Sequence, residues 1–229
     1  MKTIGIIGGL AWPSTVAYYE GINRLVADKL GTLHSAKLIL IQTDFDQLLQ
    51  WLLADKWDKI GDALCSLARR LEGAGADFIL VACNTMHRVM ARIQEQIRVP
   101  ICHIVDAVSE KIKPMGIRKV GLLGSVVTMR DGYFSDRLAE DRIESLIPGP
   151  EDQEFILQAL KTELSVDIYT PETRAVFRDI IARLVTRGAE VIILGCTEFG
   201  KLIKPEDSPV VIIDTVPVHI ELAAKMALS

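Results

Sequence analysis

The chain predicts an α/β protein of two pseudo-symmetric lobes, each a mostly parallel sheet flanked by helices. Two observations carry this. Short apolar runs alternate with amphipathic stretches from end to end, as expected when strands are joined by crossover helices. In addition, three apolar segments of the first half recur in the same order in the second. Thr3-Ile-Gly-Ile-Ile-Gly8 resembles Lys119-Val-Gly-Leu-Leu-Gly124. Ala76-Asp-Phe-Ile-Leu-Val-Ala-Cys83 resembles Ala189-Glu-Val-Ile-Ile-Leu-Gly-Cys196. Pro100-Ile-Cys-His-Ile-Val-Asp106 resembles Pro209-Val-Val-Ile-Ile-Asp214. The expected division is 1–100 for the first lobe and 101–214 for the second, with a last helix over 215–229 packing back on the first.

Strands are expected at 3–8, 37–43, 77–83, 101–104, 119–125, 191–196 and 210–214, with helices between them. Pro13 followed by Ser14 reads as the start of a helix capped by Ser14 and running to Leu30. A helix from Asp106 is expected to stop at Gly116, and one from Pro171 to stop at Gly188. Thr170-Pro171-Glu172 places a capping hydroxyl before a proline in the first turn.

Composition narrows the function classes. The 229 residues are long enough to bury a substantial core. Hydrophobic residues make up 49% and charged residues 24%, as in an ordinary globular protein. A net charge of −4 with scattered Lys and Arg gives no nucleic-acid or membrane-binding surface. There is neither a bilayer-length apolar run nor a signal-peptide pattern, so a cytoplasmic location is expected. Four cysteines without a C-x-x-C argue against zinc and against a disulfide framework. Cys65 and Cys102 read as small buried hydrophobes.

Cys83 and Cys196 read differently, because each ends a repeated strand. Ligands of open parallel sheets bind beyond the carboxyl ends of the strands. A helix start there offers backbone N–H groups that hold a carboxylate and favour a thiolate. Two thiols facing one carbon are what is needed to remove a proton from one side and return it on the other. Asn84, Thr85 and Thr197 add short polar groups at the same places. Glu198 reads equally as a group orienting a base, a ligand for an amine, or a solvated helix-start carboxylate. Gly8-Gly9 lacks the rest of a phosphate-loop pattern and reads as room for a ligand or a tight turn. His87, His103 and His219 read as surface or structural histidines, with His103 the best placed because Asp106 is near in sequence.

Cys83-Asn-Thr85 together with Gly195-Cys-Thr-Glu198 resembles the aspartate/glutamate racemase family. Gly8-Gly-Leu-Ala-Trp12, Ser14-Thr15, Tyr18-Tyr19, Thr85-Met-His87 and His103-Ile-Val-Asp-Ala107 resemble its amino-acid racemase branch. The resemblance spans essentially the whole chain. It implies 1,1-proton transfer at Cα of an amino acid without pyridoxal phosphate, metal or other cofactor. Cys83 and Cys196 would be the opposed acid and base, in the cleft between the lobes. It further implies that Asn84, Thr85 and Thr197 bind the α-carboxylate and amine, with Ser125 and Thr128 completing the pocket. Aspartate or glutamate would be the substrate and a homodimer the assembly. One departure stands out: no basic residue occurs in Asp44–Leu53, where aspartate-specific relatives hold the distal carboxylate. Gln47, Gln50 or Lys56 would have to serve, and in the later helix Lys161 is the nearest cation, with Ser165 where one is expected. Other readings of the same residues are an arylmalonate-type decarboxylase, a maleate-type isomerase and a non-catalytic binder of small acids.

Overall fold

A computed structural model describes residues 1–229. The chain divides into two units, one of residues 1–104 with 219–229 and one of residues 105–218. The first unit carries β1 (Ile4–Gly8), α1 (Trp12–Leu30), β2 (Leu38–Gln42), α2 (Phe45–Leu53), α3 (Trp57–Gly73), β3 (Phe78–Val81) and α4 (Met90–Gln94). Helix α5 (Ile104–Ile112) comes next. The second unit then holds β4 (Lys119–Gly124), α6 (Val126–Arg130), α7 (Ser135–Glu140), β5 (Glu144–Leu146), α8 (Pro150–Thr162), α9 (Pro171–Thr186), β6 (Val191–Gly195), α10 (Phe199–Leu202) and β7 (Val211–Asp214). Helix α11 (Thr215–Leu228) ends the chain. No helix is long and apolar enough to cross a membrane.

Both sheets are wholly parallel, in the orders β2-β1-β3 and β5-β4-β6-β7. Strands β1, β3 and β6 are buried along their whole length. This is why they read as unbroken apolar runs and not as alternating ones. In the first unit, α3 lays Ile60, Leu64, Ala68 and Leu71 against Ile7, Ile79 and Val81. Those helix positions recur at steps of three and four, the spacing of one helical face. In the second, Phe177, Ile180, Ile181 and Leu184 of α9 do the same against Ile192 and Leu194.

The repeat seen in the sequence is also a repeat of pairing. Ile4 of β1 lies opposite Phe78 of β3, and Val120 of β4 lies opposite Val191 of β6. Glycine ends each of the two receiving strands for a steric reason. A Cβ on Gly8 would stand 2.5 Å from the Thr15 methyl, and one on Gly124 would stand 2.7 Å from the Thr128 methyl. A threonine of the next helix thus packs on the strand end in both units.

The predicted strand at 101–104 is corrected. Ile101 forms a single parallel bridge to Ile79, and α5 begins at Ile104. The pairing is brief: Ile79 N donates to Pro100 O at 3.0 Å and Cys102 N to Ile79 O at 2.7 Å. The edge strand β5, only three residues long, was not expected from the sequence. Ser14 does not cap α1. The helix starts two residues earlier, after Ala11 at φ 104°, and Ser14 is buried within it. Thr170 does cap α9, accepting from Thr173 N at 3.1 Å. Gly116 and Gly188 take the left-handed backbone of helix ends, at φ 70° and 99°.

Candidate active site

In the first unit Cys83 lies just past the end of β3. Ala82 N donates to Ile7 O at 3.0 Å, so the pairing with β1 carries on to the residue before the thiol. The chain then closes into a 3-10 turn over Thr85–Val89. His87 ties this turn down: its N–H donates to Asn84 O at 2.9 Å and its Nδ1 to Cys83 O at 2.8 Å. Because a carbonyl only accepts, Nδ1 carries a proton. Burial, reinforced by His103 and His219 nearby, holds its pKa well below the ordinary histidine value.

The three histidines are therefore interior groups and not surface ones. His103 packs edge-on against His87 at 4.7 Å between ring centroids, and His219 at 5.6 Å. His219 Nε2 donates to Cys102 O at 2.9 Å, and its Nδ1 accepts from the Tyr18 hydroxyl at 2.7 Å. Asp106, expected to favour His103, is paired with Arg137, whose Nη2 donates to Oδ2 at 2.8 Å. No three His, Cys, Asp or Glu side chains converge in a way that could hold a metal ion. Asn84 is buried and Thr85 partly so.

In the second unit Cys196 directly succeeds β6. Its Sγ donates to Glu198 Oε2 at 2.9 Å, and Thr197 Oγ1 donates to the same oxygen at 2.8 Å. Glu198 is thus a partly exposed carboxylate at the start of α10 that lies within hydrogen-bond reach of the thiol. Gly124 of β4 pairs with Gly195, which brings Ser125 and Thr128 to the neighbouring strand end. Ser125 Oγ accepts from Thr128 N at 3.2 Å as the cap of α6 and lies 3.1 Å from Thr128 Oγ1. Thr128 Oγ1 also meets the Tyr133 hydroxyl at 3.1 Å, and the residue is buried. Cys83, Asn84 and Thr85 therefore form one group at the end of β3. Cys196, Thr197, Glu198, Ser125 and Thr128 form the other at the ends of β4 and β6. Both thiols are partly exposed, whereas Cys65 and Cys102 are buried and burial pushes the Cys65 thiol up.

Three groups here were not singled out from the sequence. Tyr133 completes the hydroxyl chain just described. The Tyr169 phenol is pushed well above its usual range by burial and by its bond to Asp167, with Glu198 and Cys196 adding to the effect. Asp214 is the third. Burial raises its carboxyl to about 6, against a bond from Val216 N and the nearby Lys204, which lower it. An ideal Cβ on Gly200 of α10 would stand 2.0 Å from Asp214 Oδ2, so a larger residue there would push the carboxylate aside. The sequence did mark Asp214, but only as the end of the third repeat.

The sign of the Asp214 effect is set by linkage. Its folded pKa lies above the unfolded value of 3.8, so its contribution is fully present below about pH 4 and is lost as pH rises through about 6. Urea denaturation of the wild type and Asp214→Asn across pH 4 to 8 checks this. The wild type should lose stability relative to the variant by roughly 2 to 3 kcal/mol over that range, with most of the loss between pH 4 and 6, the interval between the unfolded and folded values. A constant difference across the range would contradict it.

Comparison with known proteins places this geometry. The family model described as Asp/Glu/Hydantoin racemase matches residues 7–223. A solved structure of a putative Asp/Glu racemase from Yersinia pestis is 39% identical, with a TM-score of 0.95 and all of both chains covered. An aspartate racemase homologue from Pyrococcus horikoshii OT3 is 32% identical, with a TM-score of 0.87 and again full coverage of both chains. The broad specificity amino-acid racemase RacX of Bacillus subtilis is 25% identical over 158 residues, covering 69% of this chain and 68% of RacX. With a match that runs through both cysteine strands, the chain belongs to the Asp/Glu/Hydantoin racemase family.

Proposed function

We propose that this amino-acid racemase moves the Cα proton of its substrate between Cys83 and Cys196, without pyridoxal phosphate. The observation that carries the reading is the bond from Cys196 Sγ to Glu198 Oε2. It gives one of the two thiols a base of its own, while the Cys83 turn is fixed by a neutral histidine.

Every proton in the cycle is accounted for. Glu198 takes the Cys196 thiol proton while the sulfur takes the proton from Cα, so the C–H pair of electrons stays on carbon. The Cys83 thiol then protonates the opposite face and is left as thiolate. Product departs, and proton exchange with solvent returns Cys83 to thiol and Glu198 to carboxylate. The opposite enantiomer runs the same steps backwards. Cα–H of an amino acid is a very weak acid, so the site must stabilise developing negative charge with its own donors. Asn84, Thr85 and Thr197 are the groups for the α-carboxylate and amine, and Ser125 stands at the end of β4, beside the end of β6 that carries Cys196 and Thr197. Thr128 contributes through Ser125, which it positions, since its own hydroxyl is buried and bonded.

The assembly proposed is a homodimer in the cytoplasm. Val16 and Tyr19 stand exposed one turn apart on α1 and offer apolar surface for a second copy. Light scattering should give the mass of two chains, and the mass of one would refute the dimer.

Relatives are named for aspartate, for Asp/Glu and, in RacX, for broad specificity, so the test of the reaction spans acidic, neutral and basic amino acids. In D2O, without added pyridoxal phosphate, at least one amino acid should gain deuterium at Cα and invert. Glu198→Gln keeps the shape and removes the base. It should lower kcat/KM by about 10²-fold, equally in both directions because two enantiomers have equal energies. Unchanged turnover in Glu198→Gln would remove the base from the mechanism. Absence of exchange for every amino acid would remove the racemase reading.

A further inference from the structure

The edge of the first sheet that carries Cys83 also carries a cavity of about 510 Å³, above the ends of β1 and β2. Trp12 and Phe45 form its aromatic walls, and Gln42, Thr43 and Asp44 its polar ones. Its floor is backbone. Gly9 sits at φ 81°, and a Cβ there would fall 2.1 Å from Thr43 O. Asp44 caps α2 through Oδ1, which accepts from Asp46 N at 3.2 Å, and its exposed carboxylate keeps Oδ2 for a ligand. No lysine or arginine lines the cavity, and none occurs anywhere from Leu38 to Asp55.

Distance fixes what this cavity can do. Strand β1 lies between β3, which carries Cys83, and β2, which carries the cavity's acidic wall. Two strand spacings make roughly 10 Å. A substrate whose Cα touches the Cys83 sulfur is left roughly 6 Å short of Asp44, about the length of an extended four-carbon side chain. The carboxylate of aspartate ends well before that point. A carboxylate that did arrive would meet Asp44 and no cation. An ammonium would meet a carboxylate beside two aromatic side chains.

We infer that this cavity receives the substrate side chain and selects side chains that carry no carboxylate, lysine-like ones best. The inference rests on the racemase reading above and names a substrate class different from aspartate and glutamate. Asp44 is its specificity-determining residue.

The experiment measures kcat/KM for L-lysine, L-methionine, L-glutamate and L-aspartate, by deuterium incorporation and chiral chromatography, in wild type and Asp44→Asn. Asparagine caps a helix as well as aspartate does, so the substitution removes the charge and keeps α2. Wild type should favour lysine over aspartate by at least tenfold. Asp44→Asn should lower the lysine-to-methionine ratio by about fivefold and raise the aspartate-to-methionine ratio, as expected for one exposed charge at short range. The inference is overturned if aspartate or glutamate is the fastest of the four, or if Asp44→Asn shifts lysine and aspartate by the same factor. Inactivity towards all four while other amino acids exchange would also overturn it, leaving the racemase reading standing. Inactivity towards every amino acid would remove both.

Discussion

The parallel pairing of β3 with β1, and of β6 with β4, is the constraint on which the chemistry depends. Each pairing ends at a glycine-bearing strand terminus, and each delivers a cysteine just past the last ladder bond. Because all these strands run the same way, the polar groups just beyond them emerge on one edge of each sheet. That edge is where helix starts present N–H groups. A slip of one residue in either pairing would turn the apolar strand faces over and carry the thiol to the other face of the sheet. Burial of β1, β3 and β6 on both faces makes such a slip costly. The positions of the two thiols are therefore set by core packing, and their reactivity by the residues immediately C-terminal to each.

Those C-terminal neighbours differ between the two thiols. After Cys196 come a hydroxyl and a carboxylate that share a hydrogen-bonded oxygen. After Cys83 come an amide, a hydroxyl and a buried neutral histidine that grips the cysteine carbonyl. The fold repeat gives each unit a cysteine at an equivalent strand end, and the loops that follow make the two surroundings different. The Cys196 loop has a carboxylate within reach of its thiol, and the Cys83 turn is built from neutral dipoles. An enzyme that must run equally well in both directions needs no identical pair of bases, because the free energies of its two substrates are equal. It needs only that each thiol reach its own face of Cα.

Much of this was legible in the sequence. The two cysteine strands, their glycines and the Thr170-Pro171 helix start all come from patterns whose physics is local. The features that were missed involve the tertiary environment. The run Ile101–Ile104 has strand composition, but Pro100 precedes it and one bridge is all it forms before α5 begins. Pro13 belongs to the first turn, so the cap has to come before it, and Ser14, which follows it, lies inside the helix. The histidines read as either surface or structural residues, and nothing in a lone histidine shows which, because burial is not written in it. Their packing under the Cys83 turn joins residues 18, 87, 103 and 219, which no short motif connects. Glu198 was visible as a candidate, but only the 2.9 Å contact singles out the thiol as its partner. Likewise the lack of cations in 44–53 was readable, whereas the cavity that gives this lack a meaning is a property of the fold.

The central claim is that each thiol serves one face of one carbon, and one-sided proton exchange tests it most directly. Cys83→Ala and Cys196→Ala would each be incubated in D2O with the separate enantiomers of the best substrate, monitoring Cα–H loss and handedness. Neither variant should racemise. Each should exchange the proton of one enantiomer only, with retention, and the two variants should choose opposite enantiomers. Exchange of both enantiomers by one variant, or racemisation by either, would contradict the account.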